Sequence, residues 1–182
     1  QPRYSNTRLA NLLRRHIGDR TLGDLKHRVL ISSFDLDNQD RFAGIAAPGS
    51  RRTWKAKFFH NYPNLDSDSL ELAVDVALRT SAAPTYFPIV DGFVDGGVVA
   101  NNPSMCALAQ ALDPKRGAGR PLEDIRILSL GTGQNQAFID TEDSEWGLAQ
   151  WMPHLVGVLM DGAMDLANFQ CHQILGDHYF RL

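Results

Sequence analysis

The segment Phe93-Val-Asp-Gly-Gly-Val-Val-Ala-Asn-Asn-Pro-Ser104 places a carboxylate, a glycine pair and a helix start within twelve residues. An apolar run delivers Asp95, so backbone fixed by strand pairing would hold its side chain. Gly96 and Gly97 are expected to allow a turn with positive φ and a close approach of backbone to reacting atoms. Asn101 is expected to steady the loop through short side-chain to backbone bonds. Asn102 can cap a helix whose first position is Pro103, where the missing N–H costs nothing. Two readings follow. Asp95 is a general base that takes a proton from a hydroxyl nucleophile about 3 Å away, or it is an Asx turn that caps its own backbone.

A base of this kind needs a nucleophile, and no serine in the chain sits in a Gly-x-Ser-x-Gly elbow. Ser50 follows Gly49, but Pro48 and Arg52 break the pattern; Ser129 precedes Gly131, but Ile127 stands two residues before it. The six histidines, His16, His27, His60, His154, His172 and His178, are scattered. Neither His-Glu-x-x-His nor Cys-x-x-Cys spacing occurs, and Gly131-Thr132-Gly133 is too short for a nucleotide loop, so no metal or cofactor is expected.

The elements that would position Asp95 can be read in outline. Asn6 to Ile17 has a helical face of Leu9, Leu12, Leu13 and Ile17, with Gly18 as a stop. Thr21 to Asp24 has capping-box spacing. Arg28 to Phe34 is a mostly apolar strand without strict alternation, as for a strand covered on both faces of a parallel sheet. Trp54, Phe58, Phe59 and Tyr62 form an aromatic cluster, either core or pocket wall. Asp68 and Glu71 match a capping box ahead of an amphipathic helix through Leu70, Ala73, Val74, Ala77 and Leu78, ending before Pro84. Asp91-Gly92 between apolar runs signals a tight hairpin. Ile125 to Leu130 is a second strand, and Trp151 to Leu175 a helix apolar enough for burial on more than one side. Strands alternating with helices predict an α/β sandwich, with the strands at Val29–Phe34 and Ile125–Leu130 in one largely parallel sheet.

Bulk properties narrow the function. The chain has 182 residues and a formal net charge of −3, which gives no electrostatic case for nucleic acid. Arg51, Arg52, Lys55 and Lys57 form one short basic stretch. Cys106 and Cys171 lie in apolar helical runs and read as buried thiols rather than a disulfide. No signal peptide or long uncharged apolar run is visible, so a cytoplasmic setting is the expectation.

In order and spacing, four passages resemble the patatin-like phospholipases: Arg79-Thr-Ser-Ala-Ala-Pro-Thr-Tyr-Phe-Pro88, Asp95-Gly96-Gly97, Asn101-Asn102-Pro103, and Ser129-Leu-Gly-Thr-Gly133. The resemblance covers roughly residues 4 to 135. It implies an α/β three-layer sandwich with a mostly parallel central sheet, incomplete in this chain. It also implies a Ser-Asp dyad in which Asp95 is the carboxylate and Gly96, Gly97, Asn101, Asn102 and Pro103 form the supporting loop. The implied activity is that of a lipid acyl hydrolase acting on lipid or fatty-acyl esters, with peripheral membrane contact. A related acyltransferase, or a non-catalytic domain that binds lipid or a partner, is the alternative. The family's glycine-rich oxyanion loop and serine elbow would both lie before residue 1. Residues 1–182 then read as the C-terminal portion of a single catalytic domain, inactive alone.

Overall fold

A computed structural model describes residues 1–37, 52–133, 137–140 and 145–182. The tip of the polar run after β1, Ser50 and Arg51 lie outside the described residues. Helix α1 (Thr7–Ile17) packs Leu9, Ala10 and Leu13 against helix α2 (Ala73–Thr80) at Val74 and Leu78. Gly18, with φ 68°, ends α1 in backbone that favours glycine. At the next turn the Asp24 carboxylate accepts from the Thr21 backbone N–H at 2.8 Å and hydroxyl at 2.9 Å. Those bonds hold Asp24 below the usual carboxylate range.

Strand β1 (Leu30–Asp35) is the centre of a three-stranded sheet, flanked by β2 (Lys55–His60) and β3 (Phe93–Val94). Both pairings are antiparallel: Leu30 faces His60 and Asp35 faces Lys55 on one side, and Phe34 faces Val94 on the other. Buried Asn61 ties this sheet to the preceding loop. It accepts from Val29 N–H and donates to the carbonyls of Leu22 and His27. Helix α3 (Gly97–Ala100) and helix α4 (Ser104–Leu112) follow, then strand β4 (Ile127–Ser129), the long helix α5 (Leu148–Leu175) and strand β5 (Tyr179–Arg181). β4 and β5 pair in parallel, with α5 inside the crossover that such a pair requires. Leu108, Ile125, Cys171, Leu175 and Tyr179 form the core of this second region. Burial raises both thiols, Cys106 and Cys171, and so disfavours the reactive thiolate.

The fold is mixed α/β. The expected single, largely parallel sheet is corrected: the two predicted strands lie in separate sheets, and the one containing β1 is antiparallel. A continuous apolar run reports coverage of both strand faces, not the direction of the neighbours. Helix α2 also starts later than its sequence pattern suggested. Asp68 accepts instead from the His60 N–H at 3.0 Å and from Lys57 Nζ at 2.5 Å, so Leu70 stays outside the helix and exposed. Only Ala167, Cys171 and Leu175 of α5 are buried; Val156, Leu159 and Phe169 are exposed, contrary to the expected burial on several sides. Periodicity identifies an apolar face but does not supply its cover.

One charged side chain holds α2 to the hairpin. Buried Arg79 donates to Glu71 Oε2 at 2.8 Å and Asp91 Oδ2 at 3.2 Å, while its guanidinium lies over Phe59 and Phe93. Arg79→Met keeps much of the stem packing and leaves two half-exposed carboxylates without a cation. It should destabilise the protein by about 1–3 kcal/mol, less than for a fully buried pair. Chemical denaturation checks this; a midpoint equal to the parent's would show that Arg79 does not hold the hairpin.

Candidate functional site

Asp95 is delivered by a two-residue turn. Val90 and Phe93 exchange backbone hydrogen bonds of 3.1 and 2.8 Å, with φ 51° at Asp91 and 87° at Gly92. Positive φ at both central residues is the hairpin geometry that Asp-Gly favours. The turn lays β3 beside β1, where the Ser33 hydroxyl donates to the Val94 carbonyl at 2.7 Å.

The backbone then leaves the sheet and is clamped by the end of α2. Asp95 N–H donates to the Ala82 carbonyl at 3.1 Å, and Gly96 N–H to the Thr80 carbonyl at 3.0 Å. Thr80 Oγ1 donates to the Ser32 carbonyl at 2.7 Å, and Ser32 Oγ to the Gly96 carbonyl at 3.3 Å. The small residues after α2 therefore let three backbone segments meet. Ser32 was not singled out in the sequence, although a serine pair inside an apolar strand was a usable signal.

The glycine pair works through space rather than positive φ. Gly96 has φ −66°, and neither glycine is in the left-handed region. A Cβ on Gly96 would overlap the Ser32 carbonyl oxygen and stand 2.5 Å from Ser32 Oγ and 2.8 Å from Thr80 Oγ1. A Cβ on Gly97 would lie 2.8 Å from Asp95 Oδ1 and 3.2 Å from Met160 Cε.

Asp95 is half-buried. Its Oδ1 accepts from the Gly97 N–H at 2.5 Å, the Asx-turn bond, while Oδ2 has no hydrogen-bond donor among the described residues. One oxygen thus fixes the carboxylate, and a carboxylate oxygen without a donor is chemically able to accept a proton. The exposed Asn101 makes no side-chain hydrogen bond among the described residues, so the steadying role expected of it falls to its neighbour. Buried Asn102 accepts from Ser104 N–H at 3.1 Å and Ser104 Oγ at 2.6 Å, and its amide reaches the Tyr179 hydroxyl at 3.5 Å. Burial pushes the Tyr179 phenol up, but hydrogen bonds with Asn102, Ser129 and Ser104 outweigh it and leave the group below its usual range. Pro103 directly precedes α4, one residue outside the helix rather than at its first position.

Beside Asp95 runs an apolar groove of about 650 Å³, lined by Phe34, Trp54, Phe87, Ile89, Val94 and Val98 among others. Val94 and Val98 flank the Asp95 turn. Of the four clustered aromatics only Trp54 lines this groove; Phe59 belongs to the core. Helix α5 contributes nothing to it. Among the described residues, no group of three or more His, Cys, Asp or Glu could hold a metal ion, and no helix is long and apolar enough to cross a membrane.

The profile of the family described as "Patatin-like phospholipase" matches residues 1–108, a span that includes the whole Asp95 turn. The chain belongs to the patatin-like phospholipase family. Among curated relatives, a cGAMP-activated phospholipase of Pseudomonas aeruginosa is 28% identical over 190 residues, covering 99% of this chain and 51% of its own length. Protein teg of Priestia megaterium is 31% identical, covering 90% of this chain and 55% of its own. Patatin-like protein 2 of Arabidopsis thaliana is 28% identical, covering 92% and 45%. The chain spans about half the length of the curated relatives it matches.

The close approach at Gly96 makes a direct prediction. Gly96→Ala pushes a methyl against Ser32 backbone, which cannot rotate away, and should cost about 1–3 kcal/mol. Gly97→Ala meets a flexible methionine end and the Asp95 carboxylate, and should cost less stability while displacing the carboxylate. Thermal melting of the two variants checks the order; an equal or greater fall for Gly97→Ala would contradict it.

Proposed function

We propose that this patatin-like chain supplies the carboxylate half of a Ser-Asp dyad in a lipid acyl hydrolase. The serine elbow and a glycine-rich oxyanion loop would be supplied by residues outside it. The observation that carries this reading is the division of labour in Asp95. Oδ1 is tied to Gly97 N–H, Oδ2 has no donor among the described residues, and the backbone on either side is clamped beside an apolar groove. The family match and the phospholipase named among the relatives support the reaction class.

In this reading Asp95 Oδ2 takes the proton from the serine hydroxyl as the oxygen attacks an ester carbonyl. Backbone N–H groups of the oxyanion loop stabilise the charge that develops. Asp95 returns that proton to the departing alkoxide, which leaves as the alcohol. It then takes a proton from the water that cleaves the acyl-enzyme and gives it back to the serine oxygen, while the acyl chain lies in the groove between Trp54 and Val98. Gly96, Asn102 and Pro103 act by holding the turn and the helix behind it. In the complete domain, strands outside this chain would extend the two small sheets within a three-layer α/β sandwich. The substrate lies in or at a lipid surface, so the enzyme works by peripheral contact, on the cytoplasmic side.

The Asx-turn bond gives a competing role a concrete basis, because Asn at position 95 would keep it. Asp95→Asn in the full-length protein separates the two. Loss of general-base action should lower ester-hydrolysis kcat by about 10²–10⁴-fold, with the melting temperature nearly unchanged because Asn serves the turn as well. Parental turnover in Asp95→Asn would reject Asp95 as the base.

A further inference from the structure

Two further cavities lie between the loop after β4, helix α5 and the end of β5, and three charged side chains without an ion pair among the described residues line them. The larger, about 450 Å³, is lined by Asn101, Pro103, Ser129, Gly131, Asp161 and Arg181 among others. The smaller, about 290 Å³, shares Gly131, Gly133, Met164 and Arg181 with it and adds Asp165 and Asn168. None of Arg181, Asp161 and Asp165 takes part in an ion pair among the described residues. A half-buried guanidinium ordinarily has a counter-charge.

Arg181 is built into place. Leu182 N–H donates to the Ser129 carbonyl at 3.0 Å and Gly131 N–H to the Leu182 carbonyl at 2.8 Å, which pins the end of β5 to the loop after β4. Arg181 Nη1 donates to Ser129 Oγ at 2.6 Å, which orients the guanidinium. A Cβ on Gly131 would stand 3.2 Å from Nη2, so the glycine leaves the fork its space. In the smaller cavity Asn168 Oδ1 is buried with no hydrogen-bond partner among the described residues. The larger cavity also adjoins the proposed reaction centre: a Cβ on Gly97 would lie 2.8 Å from Asp95 Oδ1 and 3.6 Å from Asn101 Oδ1, and Asn101 lines that cavity.

We propose that these cavities are a headgroup subsite for a zwitterionic phospholipid, with Arg181 binding the phosphodiester and Asp161 and Asp165 facing the headgroup ammonium. The proposal rests on the acyl-hydrolase reading for its substrate. A guanidinium fork matches two phosphate oxygens, and charge-assisted bonds of this kind are the strong ones. Only a few bonds separate a phosphodiester from the nearer glycerol ester, so a phosphate held at Arg181 brings that ester toward Asp95. An anionic headgroup would meet the two aspartates unfavourably, whereas an ammonium group offsets part of their charge.

The test uses the full-length protein and compares kcat/KM for a short-chain phosphatidylcholine with that for an uncharged p-nitrophenyl ester of equal acyl length. Arg181→Gln should lower this ratio about tenfold to a hundredfold, as for loss of charge-assisted bonds. Arg181→Lys, which keeps the charge without the fork, should lower it less and decides the matter if Arg181→Gln folds poorly. The double variant Asp161→Asn/Asp165→Asn should reduce the preference for phosphatidylcholine over phosphatidylglycerol. Ratios unaltered by substitution at Arg181 overturn the proposal, and an unaltered preference in the double variant overturns its ammonium half. Calorimetric titration with phosphocholine reads the site without turnover. Binding lost in Arg181→Gln supports it, and equal binding by parent and variant, or none by either, overturns it. Inorganic phosphate binding as tightly as phosphocholine would assign the site to phosphate alone and reject the zwitterionic ligand. Failure of the unsubstituted protein to hydrolyse any ester would instead remove the acyl-hydrolase reading, with the titration still deciding the headgroup site.

Discussion

At Gly96 the chain passes so close to the Ser32 carbonyl that no side chain fits. Strand β1, the end of α2 and the turn that carries Asp95 are all set relative to one another by that contact. Thr80 bonds to Ser32, Ser32 to Gly96, and Gly96 to Thr80, so a closed set of hydrogen bonds surrounds the missing side chain. A carboxylate anchored in this way loses little freedom when it meets a nucleophile, and fixed geometry of that kind is what acid–base chemistry needs.

The turn also lies where the two packed regions of the protein meet. Helix α3, which begins two residues after Asp95, touches β1 on one side and α5 on the other. Asn102 continues the link, bonding at the start of α4 and reaching Tyr179 on β5. An apolar groove that includes Val94 and Val98, and a cavity with charged side chains that includes Asn101 and Pro103, thus adjoin one short stretch of chain. For a molecule with an acyl chain at one end and a charged group at the other, that arrangement supplies an environment for each part.

Local features were legible in the sequence because local chemistry dictates them. Asp91-Gly92 announces its turn through two positive φ values, Gly18 announces a helix end, and the loop from Asp95 to Pro103 stands out by residue type. Features that depend on distant partners were not legible. The apolar run of β1 could not reveal that its neighbours run antiparallel. Asp68 looked like a cap for α2, yet it is taken by Lys57 and the His60 N–H. Gly96 was visible as a glycine, but its reason, a carbonyl 64 positions earlier in the chain, exists only after folding. Arg181 carries no signal in its sequence neighbourhood; its orientation by Ser129 comes from the parallel pairing of β4 and β5.

The proposed dyad requires that Asp95 Oδ2 meet a serine hydroxyl from elsewhere in the complete domain. A crystal structure of the full-length protein, before and after labelling with a fluorophosphonate, tests it most directly. The labelled residue should be a serine whose Oγ, in the unlabelled protein, lies about 3 Å from Asp95 Oδ2. Gly97 N–H should still hold Oδ1. A labelled serine remote from Asp95, or an Asp95 Oδ2 occupied by a backbone donor, would contradict it.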